Sequence, residues 1–209
     1  MTRFHQVLSI LAVLAAPAAL AQDAGLYEDV ANPDASFVRV VDTGSATIMI
    51  QQASFADLTG GVTPYVVIDG KAEVQIVTGA ATATEPVKPA TFYSYVVGAD
   101  GKGVMVTDKI TRSPAQADVT FYNLSDVPTV DLYAPQAKAV AVGGVAMGNG
   151  GSVALKAPLT LDFEVRSGDK VLASVPLVAL VRREGVAIVF AGSGGAYTVT
   201  ATPNALARN

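Results

Sequence analysis

Beyond residue 21 the chain has no cysteine, no tryptophan and no histidine; its one histidine is His5. Each absence removes chemistry. Without a thiol there is no disulfide framework and no cysteine nucleophile. Without an imidazole no Ser-His-Asp relay can be assembled, so no catalytic residue is expected. Zinc and most redox metals take their ligands from the same two residue types, so no metal site and no cofactor is expected either. Positive charge is scarce as well. With Arg3 set aside, 13 Lys and Arg face 18 Asp and Glu, a net charge of −5, and no basic stripe or run occurs. That argues against nucleic acid as a partner and against simple electrostatic adhesion to an acidic polysaccharide. Long apolar runs are missing too. Val175 to Val181 is short and contains Pro176, and Ala139 to Met147 is broken by Gly143-Gly144, so neither could span a bilayer.

The first 21 residues read as a secretory signal peptide: Arg3, an apolar run from Val7 to Ala16, Pro17, and a small-x-small cleavage site at Ala19-Leu20-Ala21. With no cysteine, lipid anchoring at the cleavage site is excluded. The mature chain then runs from Gln22 to Asn209, long enough for two small cores.

What remains is β-rich. No stretch holds a 3.6-residue apolar period over four turns. Short runs of Val, Ile, Thr, Tyr and Phe alternate with Gly, Pro, Asp and Asn. Strands are expected at Ser36–Val41, Thr47–Gln51, Pro64–Ile68, Ala72–Val77, Thr91–Val97, Val104–Asp108, Asp118–Tyr122, Thr129–Tyr133, Ser152–Leu155, Thr160–Arg166, Val171–Val175, Val186–Phe190 and Tyr197–Ala201. Asp69-Gly70, Asp100-Gly101 and Gly168-Asp169 have the composition of tight hairpins. Gly148-Asn149-Gly150-Gly151 reads as a loose loop, Thr78 to Pro89 as a surface loop, and Phe55-Ala56-Asp57-Leu58 as a single helical turn.

An internal repeat organises these strands. Val38-Arg39-Val40-Val41-Asp42 lines up with Val119-Thr120-Phe121-Tyr122-Asn123, and Ile48-Met49-Ile50 with Val130-Asp131-Leu132. Ile68-Asp69-Gly70-Lys71 is set against Ser167-Gly168-Asp169-Lys170, and Gly98-Ala99-Asp100-Gly101 against Gly192-Ser193-Gly194-Gly195. The expected fold is all-β: two tandem small β-sandwich (Ig-like) domains from an internal duplication, at 22–113 and 114–209, joined near Arg112-Ser113-Pro114-Ala115.

Few residues invite a functional role. Ser36, Ser45, Ser54, Ser125, Ser152 and Ser193 have no histidine to activate them, and no G-x-S-x-G elbow occurs. Ser167-Gly168-Asp169-Lys170 matches S-x-x-K, but on a hairpin rather than a helix. Asp162 and Glu164 share a strand face and could do acid/base work; beside Arg166 and Lys170 they read as a solvated charged face. Asp100 and Asp108 do not have EF-hand spacing. Tyr93 and Tyr95 share a face suited to sugar stacking or to the core. The candidate partner-binding residues are Tyr27, Arg39, Arg182 and Arg183. Tyr27, in Leu26-Tyr27 before any strand, either tucks into the first sandwich or anchors a partner. Arg39, mid-strand among apolar neighbours, pairs with a carboxylate, meets a partner or faces solvent. Arg182-Arg183-Glu184 is a charged corner, a hairpin tip or a contact.

Several segments resemble those of the AlgF family of periplasmic alginate O-acetylation proteins. They are Leu26-Tyr27 after a signal peptide, Ser36-Phe37-Val38-Arg39-Val40, Val119-Thr120-Phe121-Tyr122-Asn123-Leu124-Ser125-Asp126, Pro176-Leu177-Val178-Ala179-Leu180 and Gly185-Val186-Ala187-Ile188-Val189. The resemblance implies two tandem β-sandwiches in the periplasm. It also implies a non-catalytic adaptor role in O-acetylation of an exported polysaccharide such as alginate. The implied partners are a membrane-bound O-acyltransferase, periplasmic acetyltransferase proteins and the polysaccharide itself. Two readings from other classes stand beside it. One is a generic exported β-sandwich module that binds a cell-surface protein or glycan. The other is a glycan-active enzyme relying on Ser, Tyr or carboxylates alone.

Overall fold

The computed structural model describes residues 32–207; the signal peptide and Tyr27 lie outside the described residues. The first half contains β1 (Ser36–Val41), β2 (Thr47–Ile50), β3 (Ala53–Ala56), β4 (Val66–Ile68), β5 (Glu73–Thr78), β6 (Ala81–Pro86), β7 (Phe92–Val97) and β8 (Gly103–Asp108). The second contains β9 (Gln116–Ser125), β10 (Thr129–Ala134), β11 (Ala139–Ala146), β12 (Asn149–Lys156), β13 (Leu159–Ser167), β14 (Lys170–Leu180), β15 (Gly185–Ser193) and β16 (Ala196–Pro203).

The halves repeat strand for strand. Sheet β4-β1-β7-β8 corresponds to β12-β9-β15-β16, and β3-β2-β5-β6 to β11-β10-β13-β14. In both, the first strand pairs parallel with the seventh (β1 with β7, β9 with β15), and the remaining pairs are antiparallel. The chain is thus all-β, in two similar sandwich-like halves.

Three of the four apolar clusters among the described residues lie between successive sheets, and the fourth gathers Ala35, Phe37, Tyr65 and Phe92. Val38, Val40, Ile48, Ile50, Val74 and Ile76 fill the first sandwich. Val119, Phe121, Leu132, Phe163, Ile188 and Phe190 fill the second. Between them Val41, Val62, Val96 and Val106 meet Tyr122, Leu124, Ala187 and Val189. The β1 and β9 sheets are therefore covered on both faces. This is why β1 and β15 read as near-continuous apolar runs rather than alternating ones, as parallel pairs buried on both sides do, while β9 is buried along almost its whole length with polar residues on its seam side. The outer sheets alternate: Thr47 and Met49 of β2 face solvent, Ile48 and Ile50 the core.

The strands missing from the sequence reading are all sheet edges. β3 stands where one helical turn is expected, β6 within the expected surface loop, and β11 within a Gly-interrupted run. Edge strands with half their polar groups in water need few β-branched or aromatic residues, so Ala, Thr and Gly suffice. The hairpin expectation holds at Gly101 and Gly168, both at positive φ between paired strands. It fails at Asp69-Gly70, because β4 and β5 belong to different sheets. The true counterpart of the Gly168-Asp169 hairpin is Gly79-Ala80, between β5 and β6. Asn149-Gly150-Gly151 is not loop but the start of β12. A Cβ on Gly150 would stand 2.4 Å from Cδ1 of Tyr122, so this glycine exists for close packing over a ring.

Candidate functional site

Arg39 is 1% exposed and lies at the seam between the halves. Strand β1 puts Val38 and Val40 into the first sandwich and therefore sends Arg39 the opposite way, toward the second half. There Nε donates to Ser94 Oγ at 2.8 Å, one terminal nitrogen to Asn204 Oδ1 at 2.7 Å, and the other to Thr120 Oγ1 at 2.8 Å and Tyr122 Oη at 2.6 Å. The hydroxyls pass the polarity on to Asp108: Ser94 donates to Oδ2 at 2.6 Å, Tyr65 to Oδ2 at 2.7 Å and Tyr122 to Oδ1 at 2.7 Å. Arg39 and Asp108 approach to 3.7 Å, and the guanidinium lies 4.3 Å over the Tyr65 ring. Burial disfavours the guanidinium charge. Tyr122, Tyr65 and Asp108 outweigh that and hold its pKa above the ordinary value. Burial also pushes the Tyr65 and Tyr122 phenols well above their ordinary range.

Arg39 thus has a carboxylate, as one sequence reading has it, and its contacts lie within its own chain. Enclosure leaves none of its donors for an outside partner. The repeat gives the arrangement its logic. Arg39 is equivalent to Thr120, and the registers make Asp108 equivalent to Asn204. Arg39 touches its own counterpart and both members of the other pair. Sequence reasoning missed Tyr65, Asp108, Tyr122 and Asn204. The signal was present in the aligned repeat, which sets a lone arginine against a threonine in strands apolar on both faces.

At one end of the seam lies a cleft of about 310 Å³ lined by Asp42, Thr43, Ser45, Asp57, Thr198 and Thr200, among others. Asp42 is 5% exposed. Its Oδ1 closes the β1–β2 turn by accepting from the N–H groups of Gly44 (2.7 Å) and Ser45 (3.2 Å). Its Oδ2 is enclosed and accepts no hydrogen bond from the described residues.

The remaining candidates are dispersed. Arg182 donates from Nε to Ala157 O at 2.8 Å, and Arg183 sits at positive φ. Their corner links β14 and β15, which lie in different sheets, so it is not a hairpin tip. Tyr93 and Tyr95 are buried in the first core. Ser36 bonds Ile68 O, Ser125 bonds Asn123, and Ser152 accepts from Lys109 N. Ser167-Gly168-Asp169-Lys170 forms the β13–β14 hairpin. On the outer face of β13, Arg166 pairs with Glu164 and stacks 3.5 Å over Tyr133. Asp162 there accepts from the N–H of Leu177 at 2.8 Å, bracing a 76% exposed leucine in the left-handed region. Among the described residues no three of His, Cys, Asp and Glu cluster, and no helix is long and apolar enough to cross a membrane.

A family model described as alginate O-acetyl transferase AlgF matches residues 9–187. Among solved structures, the C-terminal domain of AlgF from P. aeruginosa is 24% identical; the match covers 43% of this chain and 99% of that one, with a TM-score of 0.39. A Bacteroides ovatus ATCC 8483 protein described as a cell adhesion protein is 11% identical over 85% of this chain and 99% of its own, with a TM-score of 0.24. No curated protein matches the chain.

Proposed function

The chain belongs to the AlgF family, which ties it to alginate O-acetylation, and from that premise we propose that it is a non-catalytic periplasmic adaptor bridging a membrane-bound O-acyltransferase and periplasmic acetyltransferases. The observation that carries the reading is the stacking of four sheets around a largely buried polar seam. A bridge must hold two surfaces at fixed separation. Here the two outer sheets face away from each other, and the seam network resists any change in their relation. The faces also differ in chemistry. The outer face of the β3-β2-β5-β6 sheet presents Thr47, Met49, Ser54, Gln75 and Thr84. The outer face of the other presents Tyr133, Arg166, Glu164 and the projecting Leu177. Tyrosine and arginine are among the types that anchor protein interfaces. The absence of cysteine and of mature-chain histidine supports placing the acyl-transfer chemistry on the partners.

The test is the acetyl content of the exported polysaccharide, by NMR, in cells with and without the gene, with polymer yield measured alongside. Loss of acetyl at normal yield is expected, restored by the wild-type gene and not by one carrying Tyr133→Ala and Arg166→Ala. Unchanged acetylation after deletion would refute the reading.

A further inference from the structure

The edge strands β6 and β14 are equivalent in the repeat, and they are built differently. β6 pairs with β5 in unbroken register. β14 does not keep step with β13: it takes three residues from Val175 to Val178 where β13 takes two from Phe163 to Leu161. The extra residue makes a bulge, and the burial pattern slips there, with Pro176 and Leu177 both exposed before Val178 returns to the core. Leu177 has φ 56°, in the left-handed region that suits glycine and strains a leucine. The first half shows that such a sheet edge needs no bulge. A brace holds this one. Asp162 Oδ1 accepts from the Leu177 N–H at 2.8 Å, its Oδ2 accepts from Gln136 Nε2 at 2.8 Å, and Gln136 Oε1 accepts from the Asp162 N–H at 3.3 Å. The result is an apolar side chain 76% exposed, against 51% for Val140, the next most exposed large apolar residue among those described.

Strain, bracing and exposure at one leucine all run against stability, and a backbone held in this way points to a contact made elsewhere. Fixing the backbone in advance also lowers the ordering cost of binding. We propose that Leu177 is a preorganised knob that seats in an apolar pocket of a partner protein, with Lys or Arg on the rim of that pocket. The inference rests on the adaptor reading for there being a protein partner, and it adds the residue and the chemistry of the contact. The sign of the rim follows from the surrounding face. Asp131, Asp162 and Glu164 share the outer face of β10 and β13 with one guanidinium, Arg166, which already pairs with Glu164. That excess of negative charge attracts a basic surface and repels a polyanion such as alginate. The occupant is therefore a protein and not the polysaccharide.

The experiment uses the full mature protein and a strain lacking the gene. Leu177→Gly relieves the left-handed strain and removes the knob, so it melts at the wild-type temperature or up to about 4 °C above it. Returned to the deletion strain, it leaves the acetyl content of the exported polysaccharide, read by NMR, near the level of the deletion, whereas the wild-type gene restores it. Leu177→Asn, which also tolerates this backbone, gives the same loss. Thr160→Lys, at an exposed position two residues from Asp162 on the same face, lowers acetylation because it repels the basic rim. Isothermal titration of the wild type with sodium alginate as the probe shows no heat of binding. The proposal is overturned if Leu177→Gly melts more than about 4 °C below the wild type, which would make the leucine a structural residue. It is overturned equally if Leu177→Gly or Thr160→Lys restores full acetylation, or if alginate binds the wild type and not Leu177→Gly, which would make the polysaccharide the occupant. Unchanged acetylation on deletion of the gene itself would instead refute the adaptor reading, and this inference with it.

Discussion

Replacing Arg39 with methionine tests whether the seam holds the halves together. The substitution keeps an unbranched stem of similar reach and removes the charge and the donors that serve Ser94, Asn204, Thr120 and Tyr122. Asp108 is left as a buried anion whose only support is three hydroxyls. Breaking a buried pair by removing one partner costs about 3–5 kcal/mol, because the survivor is uncompensated. For a chain of this length each kcal/mol moves the melting temperature by roughly 2–4 °C, so Arg39→Met lowers it by roughly 6–20 °C. Asp108→Asn falls in the same range. The double variant Arg39→Met, Asp108→Leu is destabilised by less than the sum of the two single losses, because neither charge remains to be buried alone. Denaturant unfolding followed by circular dichroism gives the free energies, and calorimetry shows whether one transition splits into two when the seam is cut. A loss below about 1 kcal/mol for Arg39→Met, or strict additivity in the double variant, would refute the claim that this network joins the halves.

The phenols give a pH signature. Folding raises the pKa of Tyr65 and Tyr122, so their contribution to stability is intact below the unfolded tyrosine value near pH 10 and is lost as pH rises through the folded values. Urea midpoints are therefore flat toward pH 9 and fall above about pH 10. Tyrosinate absorbance should show a late class of phenols that ionises only with unfolding; complete ionisation of a still-folded protein would contradict this. Gly150→Ala places a methyl against the Tyr122 ring and costs about 1–3 kcal/mol by overpacking, measured by the same denaturation; a neutral effect would show that the ring has room to move.

The central strands were legible in the sequence because their burial on two faces forces dense runs such as Phe37-Val38-Arg39-Val40-Val41 and Val119-Thr120-Phe121-Tyr122. Alternation did the same for β2 and β5, which have one wet face. What escaped were the edges β3, β6 and β11, where solvent relaxes the demand on residue type. The match of Gly168 to Gly79 rather than Gly70 escaped as well, since turn composition carries no information about which sheet the next strand joins. Arg39 was conspicuous, but its partners come from β7, β8, β9 and the segment after β16, separated from it by up to 165 residues. Local pattern cannot reveal the contacts to Thr120, Tyr122 and Asn204, which arise from the packing of one repeat on the other. Asp42 was visible only as the far end of an aligned pentapeptide.

The meeting of Arg39 with its own counterpart, Thr120, has a consequence for ancestry and assembly. Two copies of the first half brought together in the same way would set guanidinium against guanidinium in a dry space; two copies of the second would set hydroxyl against hydroxyl with no charge to solvate. Each half is therefore a poor mate for itself and a good one for the other. Within one chain, covalent linkage ensures that the unlike pair meets. The arginine is, in that sense, a key cut for the lock in its own sequence.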